Sequence, residues 1–322
     1  MIEACKICRY ESGHQELTVT EKMLGLGDPF RYFRCARCGC LQLASPPQDW
    51  NRYYPSDYYS FNLPPPPQRG LKAWLAGWRD RGVLTGNRGP GDWLARWIPT
   101  DRPDVHSLGR LSLRRDMSIL EVGCGRGQLL AILYRAGFRH LAGVDPYLPE
   151  DVEVLPNLWV RRLALEEVSE SYDLIMMHHV FEHLPQPRAS LSACAKRLKA
   201  SGKILLRLPT VESVAWERYR ENWVQWDAPR HHFLHTRASL EILARQSGLV
   251  MEACWCDSTA FQFWGSELYQ RGYKLADSAG RPWDPRQLFS SEELEKFERQ
   301  SRELNAENRG DQMVVILSRA AP

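Results

Sequence analysis

Apolar positions in the second half of the chain form short continuous runs, separated by stretches in which they recur at helical spacing. Five runs have the length of buried strands and cover residues 118–122, 140–144, 158–162, 172–177 and 203–208. The clearest helical pattern between them covers residues 189–198. Strands that alternate with helices predict an α/β fold, with a parallel sheet that carries helices on both faces. Ligands of such sheets bind at the carboxyl ends of the strands.

The same pattern predicts elements elsewhere in the chain. Tryptophans and leucines at helical spacing over residues 71–97, interrupted at 86–91, indicate two helices, and we expect a loop over 99–110. A helix is expected over 239–246, ending before Gly248, and strands are expected over 249–256 and 311–318. A charged helix is expected to follow a capping box at Ser290 and to end near Asn305.

Composition narrows the class of protein. A chain of 322 residues can bury a full core, and its net charge of +3 is too small to indicate nucleic-acid binding on its own. No apolar run approaches the length of a membrane span, and the N-terminus lacks the apolar stretch of a signal peptide. Nine cysteines in such a chain favour a reducing cytoplasm with metal-bound or free thiols.

Four of the cysteines form two C-x-x-C pairs near the N-terminus: Cys5, Cys8, Cys35 and Cys38. Two such pairs separated by a loop match a zinc ribbon with four thiolate ligands and no open position for catalysis. Residues 17–20 and 30–34 are predicted as its strands, and zinc binding would supply most of its folding energy. A redox or incidental cysteine cluster is the alternative. Cys40 is a spare thiol that could substitute as a ligand.

A tyrosine-rich segment over residues 53–59 and a proline run over 64–67 follow the ribbon. The proline run predicts an extended connector. The tyrosines, among them Tyr58, either pack one module against another or overhang a substrate pocket as hydrogen-bonding groups or a base.

The run Ser-Ile-Leu-Glu-Val-Gly-Cys-Gly-Arg-Gly over residues 118–127 joins the first core strand to a predicted helix over 128–136. Glycine allows positive φ and the close approach of a ligand, and free N–H groups at a helix start suit a carboxylate or a phosphate. Gly127 follows Gly125 by two residues, whereas the dinucleotide fingerprint spaces these glycines by three. A glycine turn in another kind of α/β protein is the alternative.

The spacing E-x-G-x-G-x-G from Glu121 resembles motif I of the class I S-adenosylmethionine-dependent methyltransferases, and a second strand that ends in Asp145 strengthens this resemblance. It implies a Rossmann-like sheet of seven strands, mostly parallel with the last strand antiparallel, beside the small N-terminal zinc ribbon. It also implies that Asp145 binds both ribose hydroxyls of the cofactor. The cofactor contacts that we expect are Glu121, Gly123, Cys124, Gly125, Gly127, Asp145, Pro146, Ala164, His178 and His179.

Past the fourth core strand, residues 178–185 read His-His-Val-Phe-Glu-His-Leu-Pro. Polar groups that follow an apolar strand at its catalytic end are more often functional than structural. The segment resembles the V-L-E-H-L-x-D-P segment of one broad methyltransferase group, with Gln186 in place of the acid. This resemblance places His183 in the active site, with Glu182 orienting it or lining the pocket. We hypothesise that His183 is the general base.

Residues 223–236 resemble the W-x-x-x-D-x-P-R-H-x-x-x-F-[ST] block of bacterial methyltransferases that carry N-terminal zinc ribbons, some of which methylate nucleotide-linked sugars. His235 stands where that block has phenylalanine. His231 is the second candidate for the base, and Arg230 is a candidate clamp for a phosphate or carboxylate. The alternative is a lid held by an ion pair between Asp227 and Arg230, with histidines as packed hydrogen-bonding groups.

We therefore expect a zinc ribbon over 1–45, a connector with packing helices over 46–115, and a methyltransferase domain over 116–322 with a lid (210–236) and a helical insertion (257–309). The expected activity is methyl transfer from S-adenosylmethionine to a small molecule, a sugar, sugar nucleotide or secondary metabolite. One alternative is an RNA or protein methyltransferase whose ribbon holds the acceptor. Several basic residues occur in the ribbon and could bind a nucleic acid. Another is a non-catalytic subunit that binds the cofactor. The sequence leaves open the acceptor, the atom methylated and the oligomeric state.

Overall fold

The computed structural model describes residues 4–54, 69–86, 90–276 and 282–320. Contacts between Cα atoms divide the chain into two compact units. The first unit contains the described residues of 1–55, 181–188 and 207–315, and the second contains those of 56–180, 189–206 and 316–322.

The strands are β1 (Gln15–Thr20), β2 (Pro29–Arg34), β3 (Leu41–Leu43), β4 (Ile119–Val122), β5 (Leu141–Val144), β6 (Val152–Leu155), β7 (Leu158–Arg161), β8 (Tyr172–His178), β9 (Leu198–Pro209), β10 (Phe233–Leu234), β11 (Leu249–Cys256) and β12 (Gln312–Arg319). The helices are α1 (Leu71–Thr85), α2 (Pro90–Trp97), α3 (Pro103–Gly109), α4 (Gln128–Arg135), α5 (Pro187–Lys196), α6 (Val214–Tyr219), α7 (Arg237–Gln246), α8 (Phe261–Gln270) and α9 (Ser291–Ala306).

The larger sheet has eight strands in the order β11-β12-β9-β8-β4-β5-β7-β6. Strand β4 is parallel to β5 and to β8, with Leu120 opposite Ala142 and Ile175, and β5 is parallel to β7. The predicted α/β class with a mostly parallel sheet is confirmed. The sheet has one strand more than predicted, because β6 pairs with β7 in the antiparallel direction as an edge hairpin. Half-buried and exposed side chains on β6 explain why the apolar pattern did not reveal it.

The second unit places its helices as the pattern predicted, with one exception. Strand β4 is buried along its whole length, and α4 buries five consecutive apolar residues from Leu129 to Leu133. The two helices expected over 71–97 are α1 and α2. The loop expected over 99–110 is wrong, because α3 occupies 103–109. Its start has a proline at N1 and Asp104 in the first turn, which are both favourable there.

In the first unit, the four-stranded sheet has the order β1-β2-β3-β10. The fourth strand comes from residues 233–234, which are far away in sequence and pair antiparallel with β3. One apolar core joins this sheet to α6, α8 and α9, and its aromatic members are Phe30, Tyr32, Tyr53, Trp216, Tyr219, Trp223, Trp226, Phe263, Phe289 and Phe297. Helix α9 begins at the predicted capping box of Ser290 and Glu293.

Among the residues that the structure describes, no helix has both the length and the apolar character needed to cross a membrane.

Candidate active site

The glycine loop of the second unit connects β4 to α4. Gly123, Gly125 and Gly127 all have positive φ, at 66°, 52° and 74°. A Cβ atom on Gly123 would lie 2.4 Å from Cγ2 of Val180, closer than real Cβ atoms come. Glycine at this position is thus required both by the backbone conformation and by its neighbour.

Asp145 follows β5, the parallel neighbour of β4, so its carboxylate lies at the same edge of the sheet as the glycine loop. Its Oδ2 accepts the N–H of Gly125 at 3.0 Å, and its Oδ1 accepts the N–H of Tyr147 at 3.0 Å. Burial raises the pKa of Asp145, and these two N–H groups oppose that rise. A carboxylate has about four acceptor sites, so two hydroxyl donors fit the capacity that remains.

Glu121 lies in β4 just before the loop and is 6% exposed. Burial, and next the charge of Asp104, raise the pKa of Glu121 to about 8. Its Oε2 atom is buried and has no hydrogen-bond partner among the residues that the structure describes. A buried acceptor without a partner is costly, and a cationic or N–H group of a ligand would satisfy it.

The other predicted cofactor contacts surround the same end of the sheet in the second unit. Cys124 is half-buried within the loop, and Pro146 is exposed after Asp145. Ala164 precedes a short 3-10 helix after β7. His178 is the last residue of β8, and His179 follows it with a φ of 53°.

Glu182, His183 and His231 of the first unit form what we call the histidine cluster. One nitrogen of each histidine and one oxygen of Glu182 lie within 4.8 Å of one another. The two imidazole rings are 4.6 Å apart between centroids in an edge-to-face arrangement. Nε2 of His231 lies 3.9 Å from Oε1 of Glu182 and 3.8 Å from Oδ2 of Asp227. The two catalytic histidines predicted from separate motifs, 48 positions apart in the sequence, are therefore neighbours.

The hydrogen bonds of the cluster fix which nitrogen carries the proton in each neutral ring. Nδ1 of His183 lies 2.9 Å from the carbonyl oxygen of Arg230, and Nδ1 of His231 lies 2.8 Å from that of Gln225. Because a carbonyl only accepts, both Nδ1 atoms donate, and both lone pairs are on Nε2. Burial, followed by the nearby His183, lowers the pKa of His231 to about 4. His231 is therefore a neutral imidazole at pH 7.

The Arg230 guanidinium is fully buried and already bound within the protein. It donates to Oδ1 of Asp227, to Oε1 of Glu21 at 3.0 Å, and to the carbonyl oxygen of Tyr53 at 3.2 Å. This arrangement agrees with the ion-pair alternative for the lid and leaves Arg230 badly placed to clamp a substrate. Sequence reasoning missed Glu21, which is 209 positions from Arg230 and stands in no motif.

Tyrosine and histidine neighbours complete the surroundings of the cluster. The predicted Tyr58 lies outside the described residues, whereas the hydroxyl of Tyr54 is 3.3 Å from Nδ1 of His183. His235 is fully buried between the rings of Phe181 and Phe233 and bonds Ser239 Oγ through Nδ1. Its environment is that of a packed aromatic residue, and the block that residues 223–236 resemble has phenylalanine at this position.

The sulfur atoms of Cys5, Cys8, Cys35 and Cys38 form a second cluster in the first unit, all within 4.8 Å of one another. The pairs Cys5–Cys38 and Cys8–Cys35 are 3.7 and 3.5 Å apart, close to the separation of about 3.8 Å that tetrahedral zinc–sulfur bonds impose. Backbone N–H groups point at the sulfurs, and the amide of Gln42, which the sequence did not single out, donates to Cys5 at 3.0 Å. The donor set therefore fits a zinc ion. The thiol of Cys40 faces the Leu41 carbonyl and His235 instead.

Residues 101–253, just under half of the chain, match a family model described as a methyltransferase domain. These residues of the chain therefore carry a methyltransferase domain. The matched residues include β4, the glycine loop, Asp145 and the histidine cluster. The match agrees with the methyltransferase domain that the sequence predicts.

The chain is 28% identical over 199 residues to a tRNA U34 carboxymethyltransferase of Pseudomonas aeruginosa, in a match that covers 54% of the chain and 58% of the relative. It is 30% identical over 135 residues to a ubiquinone biosynthesis O-methyltransferase of Xanthomonas oryzae pv. oryzae, covering 34% of the chain and 55% of the relative. The chain thus spans between half and two thirds of the length of these relatives. Among solved structures, a 1,6-didemethyltoxoflavin-N1-methyltransferase of Burkholderia thailandensis is 12% identical with a TM-score of 0.42, and the match covers 89% of this chain and 97% of that one.

Proposed function

We propose that this chain transfers the methyl group of S-adenosylmethionine to a small-molecule acceptor, a sugar or sugar nucleotide. The observation that carries the proposal is the pair formed by the glycine loop and Asp145. Three left-handed glycines leave the backbone open to a ligand, and a buried carboxylate from the adjacent strand is held by the loop itself. The histidine cluster then supplies the groups that handle the acceptor.

The residues around the loop fit the cofactor. Asp145 would accept the ribose hydroxyls, and the unpartnered Oε2 of Glu121 suits the cationic end of the molecule. The loop glycines would allow backbone contact. Bound there, S-adenosylmethionine supplies a methyl group on a sulfonium, which is a strong electrophile.

The histidine cluster would position the acceptor and remove its proton. Nε2 of His183 is the proposed base, because its Nδ1–H is held by the Arg230 carbonyl and its lone pair is therefore on the other nitrogen. Glu182 is fully buried beside both rings and would stabilise the imidazolium that forms. Most of the acceleration comes from holding the acceptor in line with the methyl carbon.

Two of the three members of the cluster are buried, which favours a small acceptor. His231 is 4% exposed and Glu182 is fully buried. A small molecule can enter such a site whole, whereas a nucleotide in a folded RNA must first be extruded at a cost of a few kcal/mol. The four cysteines would hold a structural zinc that stabilises the ribbon strands.

The experiment compares Asp145→Asn and His183→Gln with the unsubstituted chain. Calorimetric titration with S-adenosylhomocysteine is expected to show binding to the unsubstituted chain, binding weakened at least 10-fold in Asp145→Asn, and normal binding in His183→Gln. Turnover on a panel of sugar nucleotides is expected to fall at least 100-fold in His183→Gln, as the loss of a general base does. An unsubstituted chain that releases no heat would contradict the cofactor site, and full turnover in His183→Gln would contradict the base.

A tRNA acceptor is the second candidate, because several relatives are named as tRNA U34 carboxymethyltransferases. The ribbon also exposes the basic side chains of Lys6, Arg9 and Arg37. Binding of bulk tRNA that weakens steeply between 50 and 200 mM salt, and is lost when these three residues are replaced by glutamine, would favour this candidate.

A further inference from the structure

The histidine cluster has a feature that a general base alone does not require. A base needs one imidazole, but here two imidazoles and a carboxylate converge, with one ligand atom of each within 4.8 Å of the others. Two ligands bound to one ion at about 2.1 Å lie roughly 3.0–4.2 Å apart, and the 3.9 Å between Nε2 of His231 and Oε1 of Glu182 falls in that range. That separation is too long for a direct hydrogen bond.

The second observation is how the two imidazoles are held. Each donates Nδ1–H to a backbone carbonyl, at 2.9 Å for His183 and 2.8 Å for His231. Metal-binding histidines are oriented in this manner, since a bond from one nitrogen fixes the ring and makes the other nitrogen a better ligand. Both lone pairs are then on Nε2, which in His231 is the nitrogen that faces Glu182.

The charges around the cluster also favour a cation. Nε2 of His231 faces the carboxylates of Glu182 and Asp227. The guanidinium of Arg230 pairs with Asp227 and with a third carboxylate, that of Glu21. The formal balance of these four side chains is two negative charges. A divalent ion would neutralise them in a region where burial makes charge expensive.

We propose that Glu182, His183 and His231 form a second metal site, distinct from the four cysteines, that binds a divalent transition metal such as Zn²⁺. Two imidazoles and one carboxylate are a donor set that first-row divalent metals bind, with positions left open for water or an acceptor oxygen. The inference is independent of the proposed methyl transfer, because binding is measured without cofactor or acceptor. Nε2 of His183 cannot hold a metal and accept a proton at once, so bound metal is expected to lower turnover.

The test is a Co²⁺ titration of the full chain with its cysteine site already loaded with zinc. One further equivalent of Co²⁺ is expected to bind, with the weak visible bands of nitrogen and oxygen ligands and without the strong charge-transfer bands of thiolates. Binding is expected to weaken at least 10-fold in Glu182→Gln and in His231→Gln. His232→Gln is the matched control, because this neighbouring histidine stacks on Trp50 outside the cluster.

Zinc content and far-UV circular dichroism show whether each variant is folded. X-ray absorption of the Co²⁺-loaded unsubstituted chain needs no variant. Scattering from two imidazole ligands of the Co²⁺ ion supports the site even if a substitution prevents folding. The proposal is overturned if no additional equivalent binds at 100 µM Co²⁺, if the Glu182 and His231 variants bind as the unsubstituted chain does, or if His232→Gln loses binding equally.

Discussion

At the scale of single residues, two glycines with nearly the same backbone conformation have different surroundings. Gly123 and Gly248 have φ values of 66° and 71°, so each is in the left-handed region that other residues avoid. A Cβ on Gly123 would meet both methyl groups of Val180, whereas a Cβ on Gly248 would meet nothing within 4 Å. Their comparison separates the cost of the conformation from the cost of the contact.

Gly123→Ala is therefore expected to destabilise the fold by more than Gly248→Ala does. The control should lose about 1 kcal/mol from the positive φ alone, while Gly123→Ala should lose at least ~2 kcal/mol because Val180 must also move. Urea unfolding measures both losses. Affinity for S-adenosylhomocysteine is expected to fall only in Gly123→Ala, and equal losses of stability in the two variants would contradict the contact.

A buried ion pair is the second residue-scale feature open to test. Arg230→Met leaves the carboxylates of Glu21 and Asp227 without the guanidinium between them, and such a loss costs roughly 3–5 kcal/mol. Arg218→Met is the control, since its pair with Glu267 is 46% exposed on the arginine side and should cost below about 1 kcal/mol. Chemical denaturation of both variants gives the comparison. Similar costs would mean that the buried pair does not hold the lid.

At the scale of elements, the ribbon and the lid form one structure within the first unit. Strand β10 of the lid extends the ribbon sheet, and the Tyr32 hydroxyl donates to the carbonyl oxygen of His231 at 2.9 Å. Glu21, just after β1, binds Arg230, whose carbonyl orients His183. Loss of order in the ribbon should therefore reach the histidine cluster.

Zinc removal tests this connection. Cys38→Ser is expected to lose the bound zinc and to reduce turnover at least 10-fold, because the ribbon strands no longer hold the lid. Cys40→Ser is the control, since its thiol lies outside the cluster and faces His235. Metal analysis and activity are measured on both proteins. A Cys40 variant that loses zinc as Cys38→Ser does would contradict the assigned ligand set.

At this scale the sequence predicts features whose residues are close together along the chain, and it does not predict contacts between distant residues. The glycine loop, the C-x-x-C pairs and the capping box at Ser290 are local, so their spacing carries the information. The pairing of β10 with β3 and the contact of Glu21 with Arg230 join residues about 190 or more positions apart, and no local pattern encodes them. The predicted roles of the histidines stay predictions, although the structure brings His183 and His231 together.

At the scale of the whole molecule, folding keeps three of the described histidines uncharged, of which His231 and His235 are buried and His232 is half-buried. Burial, as the largest cause, lowers the pKa of His231 and His232 to about 4 and that of His235 to about 3. An unfolded histidine titrates near 6.5. Between pH 6.5 and 4 the unfolded chain therefore takes up protons that the folded chain does not. The stabilisation is complete above pH 6.5 and is lost as the pH falls.

His235→Phe isolates one of these three contributions. Phenylalanine can occupy the place between Phe181 and Phe233, at the cost of the bond to Ser239, so the variant should be about 1 kcal/mol less stable at pH 7. The free energy of unfolding of the variant should fall less steeply as the pH is lowered, since its unfolding takes up one proton fewer. Between pH 5.5 and 4 the slopes of the two proteins should differ by about 1.4 kcal/mol per pH unit. The two stability curves are then expected to cross, so that the variant is the more stable protein at pH 4.5. Denaturant unfolding at several pH values measures this, with the exposed His140→Gln as control. Parallel curves for the unsubstituted chain and His235→Phe would show that His235 takes up its proton in the folded protein as readily as in the unfolded one.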